Sequence, residues 1–261
     1  AIMDCVDSGV IKSVNVLPNM LDAYDARLIE RHDSISIGLH WTLTTGRPVL
    51  DASLVPSLVG TTGDFLDSQV FRAAIKKRQI NRSEIKQELI AQYDRFVSIY
   101  GKPDYWTSHE NIHTNMRLFH LFTDLAMELG IFRMRCHNKI YLKGREEFIA
   151  GEGPKELLKK YVFIYWYGKA LRKGMIMPAG TICFTVPEDR YSFAQTSKDI
   201  IWPDGQVIEM YVHPSKIAEN VFFGAVTDDR VKDYELMSKP QLLHILTKNQ
   251  VELVDYRQLN G

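Results

Sequence analysis

Cysteine is scarce in this chain: Cys5, Cys136 and Cys183 are odd in number, far apart, and form no C-x-x-C pair. That usage argues against both a disulfide framework and a thiolate zinc site, and fits a reducing cytoplasm. An excess of either charge is also lacking. Lys and Arg total 32, Asp and Glu total 32, and the formal net charge is zero. With no surplus of positive charge to condense on a phosphate backbone or an anionic bilayer, neither nucleic acid nor a membrane surface is the expected partner. No apolar run approaches the ~20 residues needed to span a bilayer. The most suggestive stretch, Tyr161 to Tyr167, is short and flanked by lysines. Internal repeats and low-complexity tracts are missing, as are a glycine-rich phosphate cradle and an Asp/Glu-rich cluster for two metals.

What remains is a globular composition, 45% hydrophobic and 25% charged over 261 residues. Such a chain can bury a large core, and its length suits one α/β barrel or two domains. The first residues read as the end of an amphipathic helix stopped at Gly9. Because the chain opens at Ala1 without an initiator methionine, something upstream is expected.

Alternation toward β structure marks Ile11 to Leu17 and again Ser34 to Leu43, with a helix predicted between them over Pro18 to Arg31. Ser83 reads as an N-cap. The segment Glu84 to Tyr100 then carries Ile85, Leu89, Tyr93, Phe96 and Val97 at helical spacing and stops at Gly101. A short strand before His109, a helix from about Met116 to Leu129 and a strand at Ile131 to Arg135 follow. This βαβα rhythm argues for a parallel sheet or barrel. Beyond Tyr141 the pattern predicts a helix over Lys155 to Arg172 and strands near Thr181 to Val186 and Val207 to Val212. A helix around Val231 to Leu246 and a closing strand over Val251 to Asp255 complete it. The loop Pro48 to Val70 is long for a compact domain, and such loops often shape binding sites.

Four of the eight histidines stand at or just after predicted strand ends: His40, His109, His113 and His213. In parallel barrels the C-terminal strand ends converge on one face, where catalytic groups gather. The H-x-x-x-H spacing of His109 and His113 lets two imidazoles reach one divalent cation, with His40 as a third nitrogen ligand. The bland alternative is a pair of polar histidines capping a loop. A nearby carboxylate ligand is lacking, although hydrolytic metal sites usually include one. Glu110 is adjacent, but its neighbours would point it elsewhere.

Several ordered motifs carry a family resemblance along nearly the whole chain. They are I-G-L-H-W-T-L-T-T-G-R-P at Ile37 to Pro48, E-I-K-Q-E-L-I-A-Q-Y-D-R-F at Glu84 to Phe96 followed by G-K-P, S-H-E-N-I-H at Ser108 to His113, and E-M-Y-V-H-P at Glu209 to Pro214. The chain resembles the YdjC-like carbohydrate deacetylases. The resemblance implies removal of an acetyl group from an N-acetylated sugar such as a chitooligosaccharide, with one divalent ion, Mg²⁺ or Zn²⁺. It implies that His40 and one of His109 and His113 bind the metal, and that His213 is the general acid. Arg135 and Glu209 are the candidates for shaping the substrate site, with Arg133 as the alternative to Arg135, a surface strand arginine as the bland reading of either, and a structural role as the default for Glu209. The family pattern also begins with an Asp-Asp-Phe-Gly motif that supplies a metal ligand and general base. Here that motif would lie upstream of Ala1, since Asp4 and Asp7 fall in the family's first helix. Where the family tends to have D-S-H-x-H-V-H, this chain has Thr107 for the acidic residue and Asn111 for a histidine.

The expected fold is therefore a distorted TIM-like (β/α) barrel with mostly parallel strands. It is a single domain over residues 1–261 whose first strand lies upstream. A homodimer is compatible with the family. Trp41 alternates to the face opposite His40, which assigns it to the core. His32, His120, His137 and His244 sit in helical or polar contexts with ordinary surface or partly buried roles expected. The Tyr161 to Tyr167 run reads as a buried helix face before a substrate groove. Two other functions compete with the deacetylase: a sugar-binding pseudo-enzyme, and another metal-dependent hydrolase such as a phosphoesterase on the same barrel.

Overall fold

A computed structural model of the chain describes residues 1–22, 27, 34–137, 139–143, 153–182, 198–216 and 228–260. They form two compact units, one of Ser13–Arg133 and the other of Ala1–Lys12 with Met134–Gly261.

The Ser13–Arg133 unit is built on a parallel three-stranded sheet of β1 (Ser13–Val16), β2 (Ser36–Trp41) and β3 (Tyr105–Ser108), with β2 in the centre. The register sets Asn15 beside Gly38 and Gly38 beside Tyr105, then His40 beside Thr107. Successive side chains on a strand point to opposite faces. Asn15, Gly38, Tyr105, His40 and Thr107 therefore share one face, and Val16, Leu39, Trp106, Trp41 and Ser108 share the other. On that second face Trp41 and Trp106 are fully buried and meet at 5.4 Å between ring centres, with Phe122 edge-on to Trp41 at 5.7 Å.

Three helices follow the sheet strands: α2 (Ser68–Lys76), α3 (Arg82–Tyr100) and α4 (Phe119–Glu128). Helix α2 was not read from the sequence, although Asp67 caps it and Phe71, Ala74 and Ile75 are buried at helical spacing. The cap of α3 is Asn81, two residues before the expected Ser83, and its Oδ1 accepts from the Ser83 N–H. Along α3, Ile85, Leu89 and Phe96 are buried as expected, but so are Glu88 and Gln92. Glu88 accepts the N–H groups of Val49 and Leu50 and the Gln92 amide, while Gln92 exchanges two hydrogen bonds with the backbone of Thr42. These two side chains tie the strand end after β2 and the start of the long loop to α3. The loop itself packs inward through Val55, Leu58 and Phe65, with a bridge between Val59 and Phe65.

In the other unit, α1 (Ile2–Asp7) ends at Gly9, whose φ of +77° is the left-handed conformation that glycine adopts freely. Helix α5 (Pro154–Arg172) appears as predicted, and β4 (Thr181–Ile182) pairs in parallel with β5 (Glu209–Met210). The expected helix over Val231 to Leu246 is two helices, α6 (Asp228–Ser238) and α7 (Pro240–Lys248). Pro240 has no N–H to continue α6 and disfavours helical backbone at Lys239. The core here gathers Cys5, Ile140, Leu142, Ile182, Leu236 and Leu246.

Neither sheet closes into a barrel among the described residues, and what stands is a mixed α/β fold with parallel strands. The segment Ile131 to Arg135 forms no named strand, although the Trp106 N–H donates to the Arg133 carbonyl and the Met134 N–H to that of Ile176. Val251 to Asp255 is likewise not a strand, and leads into a 3-10 turn capped by Asp255. Most of the helix predicted between β1 and β2, and the end of the strand predicted after Thr181, lie outside the described residues. Among the described residues no helix is long and apolar enough to cross a membrane, and Cys5 and Cys136 are buried and form no disulfide.

Two outcomes are expected from this packing. A Cβ at Gly38 would lie 2.3 Å from the Tyr105 ring, so Gly38→Ala should lower unfolding free energy by about 1–3 kcal/mol in denaturant titrations. An unchanged midpoint would mean that Tyr105 does not lie over Gly38. Burial of Glu88 raises its carboxyl pKa, outweighing the three N–H donors that lower it. A carboxyl with a raised folded pKa binds protons better in the folded state. Its stabilising contribution is complete below the ordinary value and lost as pH rises through the folded value. The stability of the native protein relative to Glu88→Gln should therefore fall across that interval in urea titrations at stepped pH; a rise would show that the hydrogen bonds dominate.

Candidate active site

His40 sits near the end of β2, half-buried, on the face shared with Asn15 and Thr107. Its Nδ1 is 2.5 Å from Thr107 Oγ1, and that hydroxyl donates to Asn15 Oδ1 at 2.9 Å. His109 follows β3 directly, two residues after Thr107, so alternation carries it to the same face. The His40 and His109 rings stand nearly perpendicular with centres 5.7 Å apart. A zinc–nitrogen bond of ~2.0–2.1 Å sets a cation about 3.2 Å from an imidazole centre, so two rings on one ion lie at most about 6.4 Å apart. The pair meets that condition.

His113 goes elsewhere. It is 1% exposed, its ring meets Trp106 edge-on at 5.3 Å, and Ser108 Oγ both accepts its backbone N–H and contacts its Nδ1 at 2.6 Å. Trp106 and Ser108 belong to the face opposite Thr107, so His113 extends the aromatic core. The turn between the two histidines explains how they separate. Glu110 and Asn111 have φ of 49° and 52°, left-handed values that carry a cost of order 1–3 kcal/mol each away from glycine. Surrounding contacts hold the turn: Arg72 Nη2 donates to the Glu110 carbonyl at 2.8 Å, and the Thr44 hydroxyl donates to its carboxylate at 3.3 Å. Among the described residues no group of three or more His, Cys, Asp or Glu is placed to hold a metal. The donor set is thus a pair of imidazoles, which suits zinc, whereas a magnesium site would need a carboxylate and several waters besides.

The second unit holds the remaining candidates. Arg135 grips Glu209 through two hydrogen bonds of 2.8 Å, Nε to Oε2 and Nη2 to Oε1, with side chains only 7% and 12% exposed. The Arg135 guanidinium also lies 4.4 Å from the centre of the Tyr211 ring, and Tyr211 meets His213 edge-on at 6.2 Å. Residues 209, 211 and 213 are spaced by two, so an extended backbone aligns them on one side. His213 is exposed, and its backbone N–H is anchored by buried Asp233 of α6 at 2.8 Å. Arg133, the alternative to Arg135, ends the Ser13–Arg133 unit and is half-buried.

Trp41 is fully buried and its indole N–H donates to the Leu89 carbonyl, as a core residue should. Of the Tyr161 to Tyr167 run, Phe163 and Tyr167 are buried, whereas Tyr161, Ile164 and Tyr165 face outward. His120 is half-buried and His244 exposed. His137 is buried, and its backbone N–H donates to the hydroxyl of Tyr167, whose pKa burial drives well up. His32 lies outside the described residues. Sequence reading overlooked Asn15, Thr44, Arg72 and Tyr211. Asn15 carried a signal, a polar residue alternating with Val14 and Val16 on a strand; Arg72 carried none, because its role depends on a loop 38 residues away.

The comparisons with known proteins agree with the motifs. The family described as YdjC-like protein matches residues 1–248. A carbohydrate deacetylase of Geobacillus stearothermophilus is 28% identical over 98% of this chain and 90% of its own length. A chitooligosaccharide deacetylase of Yersinia enterocolitica is 23% identical over 98% and 89%. Among solved structures, an Enterococcus faecalis V583 protein provisionally described as a cellobiose-phosphate cleavage protein superposes with a TM-score of 0.70 at 20% identity. That likeness covers 98% of this chain and 90% of the other, and concerns the fold. With a match that runs from residue 1 to residue 248, this chain belongs to the YdjC-like family.

Proposed function

We propose that this protein is a carbohydrate N-deacetylase that hydrolyses the acetamide of an N-acetylated sugar such as a chitooligosaccharide, releasing acetate and the free amine. The observation that carries the reading is the His40 and His109 pair at adjoining strand ends in a chain whose relatives are named carbohydrate and chitooligosaccharide deacetylases. On this reading the fold completes a distorted TIM-like barrel as one domain, and the protein works in the cytoplasm. His40 and His109 would hold one divalent ion, Mg²⁺ or Zn²⁺, with His109 preferred to His113 because the latter is buried beside Trp106. A carboxylate ligand and a general base would complete the set, as the resemblance implies.

An amide resists water because both the nucleophile and the carbonyl are weak. A divalent ion held by these histidines would polarise the acetyl carbonyl and lower the pKa of a water toward ~7. When the carbon–nitrogen bond breaks, the departing sugar nitrogen needs a proton. His213 is assigned to give it, since a histidine titrates near neutral pH and its exposed ring can reach a ligand. The Arg135–Glu209 pair supports Tyr211 beside that ring and thereby restricts where His213 can point.

Acetate release from N,N′-diacetylchitobiose with added Mg²⁺ or Zn²⁺ tests the reading. Turnover should fall by about 10²–10⁴-fold in His213→Ala and vanish with metal binding in His40→Ala and His109→Ala. Metal binding without acetate release from a panel of N-acetyl sugars would shift the reading to a pseudo-enzyme or another hydrolase. Glu209→Ala removes the carboxylate that the buried Arg135 guanidinium grips, so a loss of about 3–5 kcal/mol in unfolding free energy should accompany any loss of activity. A pure rise in KM at native stability would instead make Glu209 a substrate contact.

A further inference from the structure

Thr107 is 1% exposed, and its hydroxyl lies between Asn15 Oδ1 and His40 Nδ1. A hydroxyl owns one proton and two lone pairs, and an amide oxygen has no proton to give. The Thr107 proton therefore points to Asn15, and the contact with His40 is one in which Nδ1–H donates to the Thr107 oxygen. A neutral imidazole carries a single proton, so its lone pair is on Nε2. We infer that Asn15 and Thr107 form a neutral positioning relay that sets His40 in the Nδ1–H tautomer and presents Nε2 as a ligand nitrogen.

The relay is a property of the sheet rather than of any motif. Asn15 and Thr107 are 92 positions apart, and are joined because β2 sits between β1 and β3 in a register that leaves 15, 40 and 107 on one face. It also accounts for Thr107 standing where the family tends to have an acidic residue. A carboxylate would accept Nδ1–H alone, but would place a charge at a nearly inaccessible position. The threonine accepts the same proton because the asparagine oxygen takes its own. Partners of this kind fix the tautomer and orientation of ligating histidines. The inference rests on the proposed metal-dependent reading only for what Nε2 serves.

Long-range ¹H–¹⁵N NMR of the metal-free full-length protein, well above the ordinary histidine pKa of ~6.5, reads the tautomer directly, with His40 assigned by its loss in His40→Gln. The expected spectrum has Nδ1 protonated and Nε2 unprotonated. Thr107→Val should mix or reverse that pattern and weaken Zn²⁺ binding by roughly 10–100-fold in calorimetry. Thr107→Ser and Asn15→Asp keep the hydroxyl and the acceptor, and should keep the pattern. Should Thr107→Val not fold, Asn15→Leu tests the relay from its other end. A native spectrum with Nε2 protonated, as a reversed Asn15 amide would give, overturns the inference, and so does an unaltered tautomer in Thr107→Val or Asn15→Leu. The expected tautomers in a protein that binds no Zn²⁺ or Mg²⁺ would uphold the relay while removing the metal-dependent reading.

Discussion

Strand β2 is paired on both edges, and a paired strand has only two faces to distribute. Leu39 and Trp41 need a dry face; Gly38 and His40 consequently receive the other. A slip of one residue would drive His40 into the tryptophan cluster and Trp41 out of it, exchanging a fully buried indole for an imidazole. The register is thus held by the largest side chains of the unit, and the histidine inherits its place from them. Gly38 adds a second restraint, since the Tyr105 ring occupies the volume any Cβ would need. The chemistry of this face is therefore positioned by packing on the reverse one.

Two polar devices extend that control into segments without regular structure. Glu88 and Gln92, one helical turn apart on α3, both enter the core and satisfy backbone groups of Thr42, Val49 and Leu50. Burying a carboxylate is unfavourable unless it is hydrogen-bonded, and three N–H donors serve it here. The arrangement converts the turn after β2 from a free loop into a fixed one. In the other unit, Arg135 and Glu209 make a comparable trade, with a two-pronged geometry that a lysine could not reproduce. Such a pair contributes little net stability over an apolar replacement, yet removing one partner is costly. Its value lies in the fixed placement of Tyr211.

Most of the elements were legible because their signals are local. The helix over Arg82–Tyr100 shows its apolar spacing and ends at a glycine, and the parallel strands show alternation or short apolar runs bounded by turns. The two helices divided at Pro240 show where local reading was incomplete, since the proline was visible and only its consequence for Lys239 was missed. The site was legible as a set of histidines at strand ends but not as a geometry. H-x-x-x-H spacing presumes a regular backbone, whereas Glu110 and Asn111 turn left-handed between the two rings. Neither residue is a glycine, and only Asn111 is of a type that favours the left-handed region, so the sequence announces the turn weakly; the contacts from Arg72 and Thr44 that hold it arise only in the folded unit.

Burial then separates histidines that spacing treats alike. His113 sits against Trp106 and Phe122 with its ring enclosed, where a change of charge would have to be accommodated by apolar neighbours. His40 is half-buried, one ring nitrogen engaged by Thr107 and the ring edge-on to His109, and His213 is exposed with its backbone N–H anchored by Asp233. These environments suit three different tasks: enclosing a core, holding a fixed lone pair, and exchanging a proton with a ligand. A residue type shared by all three carries no information about which task it performs. The information resides in the neighbours, and for His40 those neighbours are a threonine and an asparagine that no spacing rule would have selected.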